Sequence, residues 1–443
     1  MDESSPAAAS GKAAAARPVS LGEAARLWFK VGVLGFGGPA GQIALMHRLI
    51  VEEKRWIDEA GFLHALNYCM LLPGPEAQQL AVYIGWLLHR VKGGLIAGLL
   101  FIAPGALVML ALSILYVRLG HLNEVQGVLL GVQAAVLAIV VDAMARIGKR
   151  ALKTPAARAV AAAAFVALFF FAAPFPLVIA AAAVLGFLLK TGEAVATAAG
   201  GYGSRASGGF FLRVLTVGMA LWAAPTLAAG MLPGLSSTFA DIGLFFSKVA
   251  VVTFGGAYAV LAYVAQQAVE AYGWLEPGEM ITGLGLAETT PGPLIMVVQF
   301  VGFLGAYRDP GALSPLIAGI LGAALTVWVT FVPCFMWIFL GAPYVERLRG
   351  LRRLNAALSM ITAAVVGVIA NLALWFALHV VFAEIEEHRL GRLQLLVPQP
   401  ESLNVAAAGL SLAALVAMLV FKTHMLGVLA ASALAGLVYA LLA

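Results

Sequence analysis

Along this chain, runs of roughly 20 consecutive, mostly apolar residues follow one another with short polar interruptions. No other feature limits its folding so tightly. A run of that length, wound as a helix, spans the hydrocarbon core of a bilayer and hydrogen-bonds its own backbone, as lipid demands. A transmembrane barrel is excluded, because its strands would show alternation over about 10 residues instead. Ala and Leu dominate the runs, and both favour helix. Composition agrees: 62% of residues are apolar and 11% charged, where soluble proteins carry roughly 25% charge. So few polar side chains cannot coat a soluble fold of 443 residues. A disordered chain would be poor in apolar residues. The net charge of +5 is scattered over loops, which excludes a nucleic-acid interface. The fold class is therefore an all-α polytopic membrane protein. Residues 1–20 lack the apolar centre of a signal peptide and read as a disordered cytoplasmic tail. Cys69 and Cys334 lie in apolar runs and read as packing residues.

The chain repeats itself. Phe36-Gly37-Gly38 recurs as Phe254-Gly255-Gly256, Trp56 as Trp274, and Pro73-Gly74-Pro75 as Pro291-Gly292-Pro293, always 218 positions apart. The same spacing matches Lys30 with Lys248, Glu52 with Glu270 and Arg90 with Arg308. A duplicated unit explains one register shared by so many residues. Thirteen spans can be read, six in each copy and one between, with 32–50, 62–88, 245–265 and 280–306 holding the repeated motifs. Lys and Arg collect on the cytoplasmic side. In the first copy they crowd at Arg90 and Lys92 and from Arg146 to Arg158. In the second they crowd at Arg347, Arg349, Arg352 and Arg353, a loop whose counterpart in the first copy is neutral. The copies are thus expected to be inverted, with the N-terminus cytoplasmic and the C-terminus periplasmic. The expected organisation is a tail at 1–20, a first transmembrane repeat at 21–190, a linker with a connecting transmembrane helix at 191–240, and a second repeat at 241–443.

Inverted repeats are an architecture of alternating-access carriers, whose substrate lies near the midplane between discontinuous helices. The repeated motifs are helix breakers. Proline removes a backbone donor, and paired glycines permit positive φ. Each break creates a half-helix N-terminus with free N–H groups, which suits an anion. The candidate substrate-binding residues are Phe36, Gly37, Gly38, Pro39, Pro73, Gly74, Pro75, Phe254, Gly255, Gly256, Pro291, Gly292 and Pro293. The polar neighbours Gln78, Gln79 and Thr290 join them as side-chain donors, with Asn67 and Gln299 as further donors. Glu76 and Glu288 are ionisable residues beside the breaks and are candidates for proton coupling. Lys30 and Lys248, six residues before the Phe-Gly-Gly motifs, are candidates for attracting an anion. The His residues are scattered, and neither a zinc pair nor a phosphate-binding glycine loop occurs, so no enzyme, metal or cofactor is expected.

Phe36–Pro39, the EKRW segment at Glu53–Trp56 and LLPGPEAQQLA at Leu71–Ala81 resemble the chromate ion transporter (CHR) family. The second Phe-Gly-Gly and TTPGP at Thr289–Pro293 are similar to the long-chain, two-domain form of that family, over about residues 20–442. The resemblance implies export of chromate across the bacterial inner membrane and chromate resistance, driven by the membrane potential or a proton gradient. It maps the family motifs onto Phe36–Pro39, Pro73–Pro75, Phe254–Gly256 and Pro291–Pro293. Ala257 follows the second Phe-Gly-Gly where the first has Pro39, so that break is expected to be softer. The residues alone reach only an inverted-repeat anion transporter. Sulfate as substrate, or an anion channel, stays open as the alternative, and a homodimer in the lipid bilayer is a candidate assembly.

Overall fold

The computed structural model describes residues 19–189, 208–254, 256–344 and 352–442. Gly255, Arg347, Arg349, nearly all of the expected tail and most of the polar linker lie outside the described residues.

The first copy opens with α1 (Leu21–Leu34) and α2 (Gly38–His47), the latter extended by a π-helical turn at Arg48–Glu53. Then come α3 (Glu59–Cys69) and α4 (Glu76–Leu119), bent sharply at His89 and Arg90. α5 (Asn123–Ala151), α6 (Pro155–Phe171) and α7 (Phe175–Leu189) complete it. α8 (Gly208–Met231) connects to the second copy. There, α9 (Ser237–Val252), α10 (Ala257–Gln266) with its π-helical turn at Gln267–Ala271, α11 (Pro277–Thr289) and α12 (Val297–Arg308) repeat the opening elements. α13 (Pro315–Gly341), α14 (Arg352–Val381), α15 (Val405–Leu419) and α16 (Met425–Leu442) follow. A β-hairpin, β1 (Ile385–Leu390) with β2 (Leu393–Pro398), lies between α14 and α15. Local chemistry sets the starts: Ser20 and Asp58 cap α1 and α3 through their side chains, and a Glu276–Glu279 capping box opens α11.

The register of the sequence repeat is also the register of the backbone. Trp56 N–H donates to Ile50 O at 2.9 Å, and Trp274 N–H to Ala268 O at 2.8 Å. Phe36 N–H donates to Leu34 O, and Phe254 N–H to Val252 O. Each copy therefore folds its first seventy or so residues, up to Arg90 and Arg308, by the same local rules.

The four motif-bearing segments differ from the expected spans. They are helical hairpins that return to the end they came from. Lys54, after the π-helical turn, pairs with Glu23 at the start of α1 at 2.8 Å. Arg308 at the end of α12 clasps Glu279 at the start of α11 at 2.7 and 2.8 Å, and also donates to Trp274 O. Tyr272, after the π-helical turn, lies against Phe245 of α9 with ring centroids 5.4 Å apart, which holds the end of that hairpin beside α9. His89, at the bend of α4, sits 2.7 Å from Val19 O, which brings the end of the first arm of α4 back to the base of α1. Proline and positive-φ glycine at the tips reverse the chain, and the contacts at the bases hold the paired arms side by side. Hydropathy alone reads both arms together as one crossing.

The second arm of α4 is the ruler for the arrangement. Val19, at the base of the first hairpin, lies at His89. Glu279, at the base of the hairpin α11–α12, lies at Tyr116, whose hydroxyl donates to it at 2.9 Å. Between these ends, Gly105 packs against Pro291 and Gly292 at the tip. The base of one hairpin from each copy thus lies at each end of this arm, and the tip of the hairpin α11–α12 packs near its middle.

Around them, long helices pack through small residues, as membrane helices do. Gly131 of α5 abuts Ser432 of α16, Gly367 of α14 abuts Ala161 of α6, and Gly186 of α7 abuts Ala356 of α14. Among the described residues six helices are long and apolar enough to cross a membrane. α6, α7, α12 and α15 are shorter apolar helices.

Candidate functional site

Four helix breaks come together where the hairpin tips meet. Gly292 N–H, in the second Pro-Gly-Pro, donates to Gly35 O at 3.0 Å, beside the first Phe-Gly-Gly. Gly74 N–H, in the first Pro-Gly-Pro, donates to Thr253 O at 2.8 Å, beside the second Phe-Gly-Gly. Positions 35 and 253 are register mates, and so are 74 and 292. Each copy's Pro-Gly-Pro tip therefore grips the other copy's Phe-Gly-Gly tip, and the two contacts are related like the halves of an isologous interface. The glycines make this approach feasible. Gly74 has φ 120° and Gly292 φ 92°, where a side chain is strained. A Cβ on Gly74 would lie 2.8 Å from Cys334 Sγ.

From these tips start α2, α4, α10 and the short 3₁₀ turn Leu294–Met296 that leads into α12. Pro75 stands at the cap of α4 and Pro39 in the first turn of α2, where a missing N–H costs nothing. The remaining N–H groups of each first turn have no intrahelical acceptor, and the helix dipoles add positive potential there.

The side chains around the tips are unequal between copies. Gln79 is fully buried, donates to Pro73 O at 2.7 Å and lies against Cys334. Gln78 is fully buried, and among the described residues its amide has no hydrogen-bond partner. Glu76 is half-buried. Its Oε1 is 3.7 Å from the place a Cβ on Gly256 would take. Glu288, 2% exposed, accepts a hydrogen bond from Tyr258. Arg146 of α5, paired with Asp142 at 2.9 Å, acts electrostatically on both. Both carboxylates therefore flank the second Phe-Gly-Gly break, one from each copy. Thr290 is buried and spends its hydroxyl on Leu286 O and Ala287 O, which finishes α11. Gln299 donates to Ala106 O at 2.9 Å and ties α12 to the middle of α4. Phe36, Pro39 and Phe254 are half-buried beside the breaks, Gly37 and Ala40 are exposed, and Pro291 and Pro293 are buried. The cluster thus has an open flank at the first tip.

Other expected residues lie elsewhere. Lys248 is exposed, over the Tyr263 ring at 5.5 Å, on the flank of its hairpin. Lys30 is exposed and lines a cavity between the arms of the first hairpin with Arg26, Glu53 and Lys54. Arg308 closes a hairpin base. Trp274 is buried among Phe245, Phe246 and Tyr272. Sequence reasoning missed Gln42 and Tyr258. Gln42 is 0% exposed and donates to Gly35 O at 3.1 Å and to Gly292 O, bridging the copies. Its mate is Val260 and that of Tyr258 is Ala40, so a search for repeated residues passes over both.

Hairpins meeting tip to tip inside a set of apolar helices define a polytopic membrane protein with a central polar cluster built from two copies of one unit. The Chromate transporter family matches residues 22–187 and again residues 240–437, and this chain belongs to that family. It is 34% identical over 366 residues to a chromate transport protein of Pseudomonas aeruginosa, covering 80% of each chain. It is 30% identical over 371 residues to a chromate transport protein of Cupriavidus metallidurans, covering 82% of this chain and 84% of the relative. A probable chromate transport protein of Synechococcus elongatus is 28% identical over 364 residues, covering 80% of this chain and 83% of the relative. No solved structure matches the chain.

Proposed function

We propose that this protein carries chromate across the bacterial inner membrane, as a carrier whose two copies are inverted with respect to each other. The observation that carries the reading is the reciprocal tip contact, Gly292 with Gly35 and Gly74 with Thr253, in a chain whose relatives are named for chromate transport. A tetrahedral oxyanion would sit against the half-helix N-termini, held by backbone N–H groups and the amides of Gln78 and Gln79. No lysine or arginine is required at the tips, so the held anion is not trapped by a buried cation. Rocking one copy against the other would expose this place to each side in turn.

Four hairpins and nine crossings (the second arm of α4, α5 to α8 and α13 to α16) support a cytoplasmic N-terminus and a periplasmic C-terminus. Replacing four expected crossings by four hairpins leaves that parity unchanged. Export follows the membrane potential, which drives a dianion out of a cell that is negative inside. Glu76 and Glu288 are the proton-coupling residues of this reading, because each lies beside the same break.

The test is uptake of labelled chromate into everted vesicles under imposed pH and potential gradients. The account expects saturable uptake that weakens in Pro75→Ala and Gly292→Ala, and that loses its pH dependence in Glu76→Gln or Glu288→Gln. Wild-type uptake and pH dependence in all four variants at equal expression would refute it. Full competition by sulfate would widen the substrate to tetrahedral dianions in general.

A further inference from the structure

The two tip contacts are alike in backbone and unlike in side chains. Gly292 N–H donates to Gly35 O, and Gly74 N–H donates to Thr253 O. Over the first contact stands Gln42, fully buried, with Nε2 donating to both Gly35 O and Gly292 O. At the register position of Gln42 in the second copy stands Val260, also fully buried, which donates nothing. Among the described residues, one contact is clasped across the copies by a side-chain hydrogen bond, and the other is hydrogen-bonded through backbone alone. The other unequal polar groups do not clasp the tips in this way. Gln79 bonds to Pro73 within its own copy, and Tyr258 bonds to Glu288 within its own copy.

Resting on the transport reading above, we infer that Gln42 is a positioning residue that sets which face of the membrane the site rests open to. In a carrier made of two inverted copies, the inward-open and outward-open states differ by an exchange of roles between the copies. If one tip contact loosens in the first state, its register mate loosens in the second. With identical copies the two states would have equal energy. A clasp on one contact only makes its loosening harder, so the state that requires it is populated less. Gln42 does not need to touch the anion to act. It changes the fraction of molecules competent at each face and therefore the apparent affinity there.

Transport from the two faces tests this. Half-saturating chromate is measured in right-side-out and in everted vesicles, and the ratio of the two is the readout. Gln42→Val, close in volume to the original, is expected to shift the ratio about tenfold, the worth of one or two hydrogen bonds. Val260→Gln, which offers Thr253 O and Gly74 O the same clasp, is expected to shift it the opposite way. The exchanged double variant is expected to invert the wild-type bias. A residue that only stabilises the fold would lower yield or thermal stability and leave the ratio unmoved. Hydrogen exchange of the purified protein gives a second readout. The amides around Gly292 are expected to exchange more slowly than those around Gly74, and Gln42→Val to remove that difference. An unmoved ratio and unmoved exchange in a folded Gln42→Val variant overturn the inference and leave the transport reading standing. Absence of any chromate flux in wild-type vesicles overturns the transport reading, and this inference with it.

Discussion

Gly74 and Gly292 hold the tips at φ 120° and 92°, angles that cost other residues on the order of 1–3 kcal/mol. Gly74 adds a steric demand, because a methyl group there would press on Cys334 Sγ and Gln79 Nε2 at 2.8 and 2.9 Å. Gly292→Ala meets Gly105 Cα and Phe101 O at 3.5 Å, ordinary van der Waals contact. Thermal unfolding in detergent is therefore expected to rank Gly74→Ala as the more damaging, by about 1 kcal/mol, with transport weakened in both. Gly38, at φ 67° with nothing within 4 Å, is expected to tolerate Ala at a cost of about 1 kcal/mol. Equal stability of all three variants would contradict this. The glycines were legible in the sequence because they recur in register. Gln42 was not, because one amide in an apolar helix looks like any interhelical bond, and its mate Val260 is apolar. Nor was Tyr258, whose donation to Glu288 joins residues thirty positions apart that only the hairpin α9–α10 packed against α11 brings together.

The hairpin is the element that the sequence concealed. Apolar runs such as 280–306 have the length of a crossing, and hydropathy records length without direction. Direction is set at the bases, where Arg308 meets Glu279 and Trp274 O. Glu279 also accepts from Tyr116, so removing Arg308 strands a carboxylate that is nearly buried. Breaking a fully buried pair costs about 3–5 kcal/mol; with the Arg308 side chain 39% exposed, Arg308→Ala is expected to cost about 2 kcal/mol. Glu279→Gln in the Arg308→Ala background should recover part of that in the same unfolding experiment. An additive loss would show that the pair does not close the hairpin. The breakers themselves were legible as breaks; their consequence, a reversal and not a kink, depends on contacts between arms that no single run contains.

At the scale of the whole molecule, the second arm of α4 measures the two copies against each other, with Val19 at His89 and Glu279 at Tyr116. The duplication and the side preference of the loop charges were already present in the sequence, since both follow from residue spacing. The reversals at the four tips were not, because they turn on contacts between arms that lie in separate runs. The proposed topology predicts that cysteines at Glu53 and at its register mate Ala271, both exposed, react with a membrane-impermeant maleimide from opposite faces, the first from the cytoplasm. Labelling of both from one face would remove the inversion.

The central claim is that the four tips together hold the transported anion. Hydrogen exchange of the purified protein with and without saturating chromate tests it most directly. The account predicts slowed exchange at the amides that follow the breaks, near residues 38–42, 76–79, 256–260 and 293–297, with the rest of the chain little changed. Undiminished exchange at all four segments, in protein that still binds chromate, would contradict it.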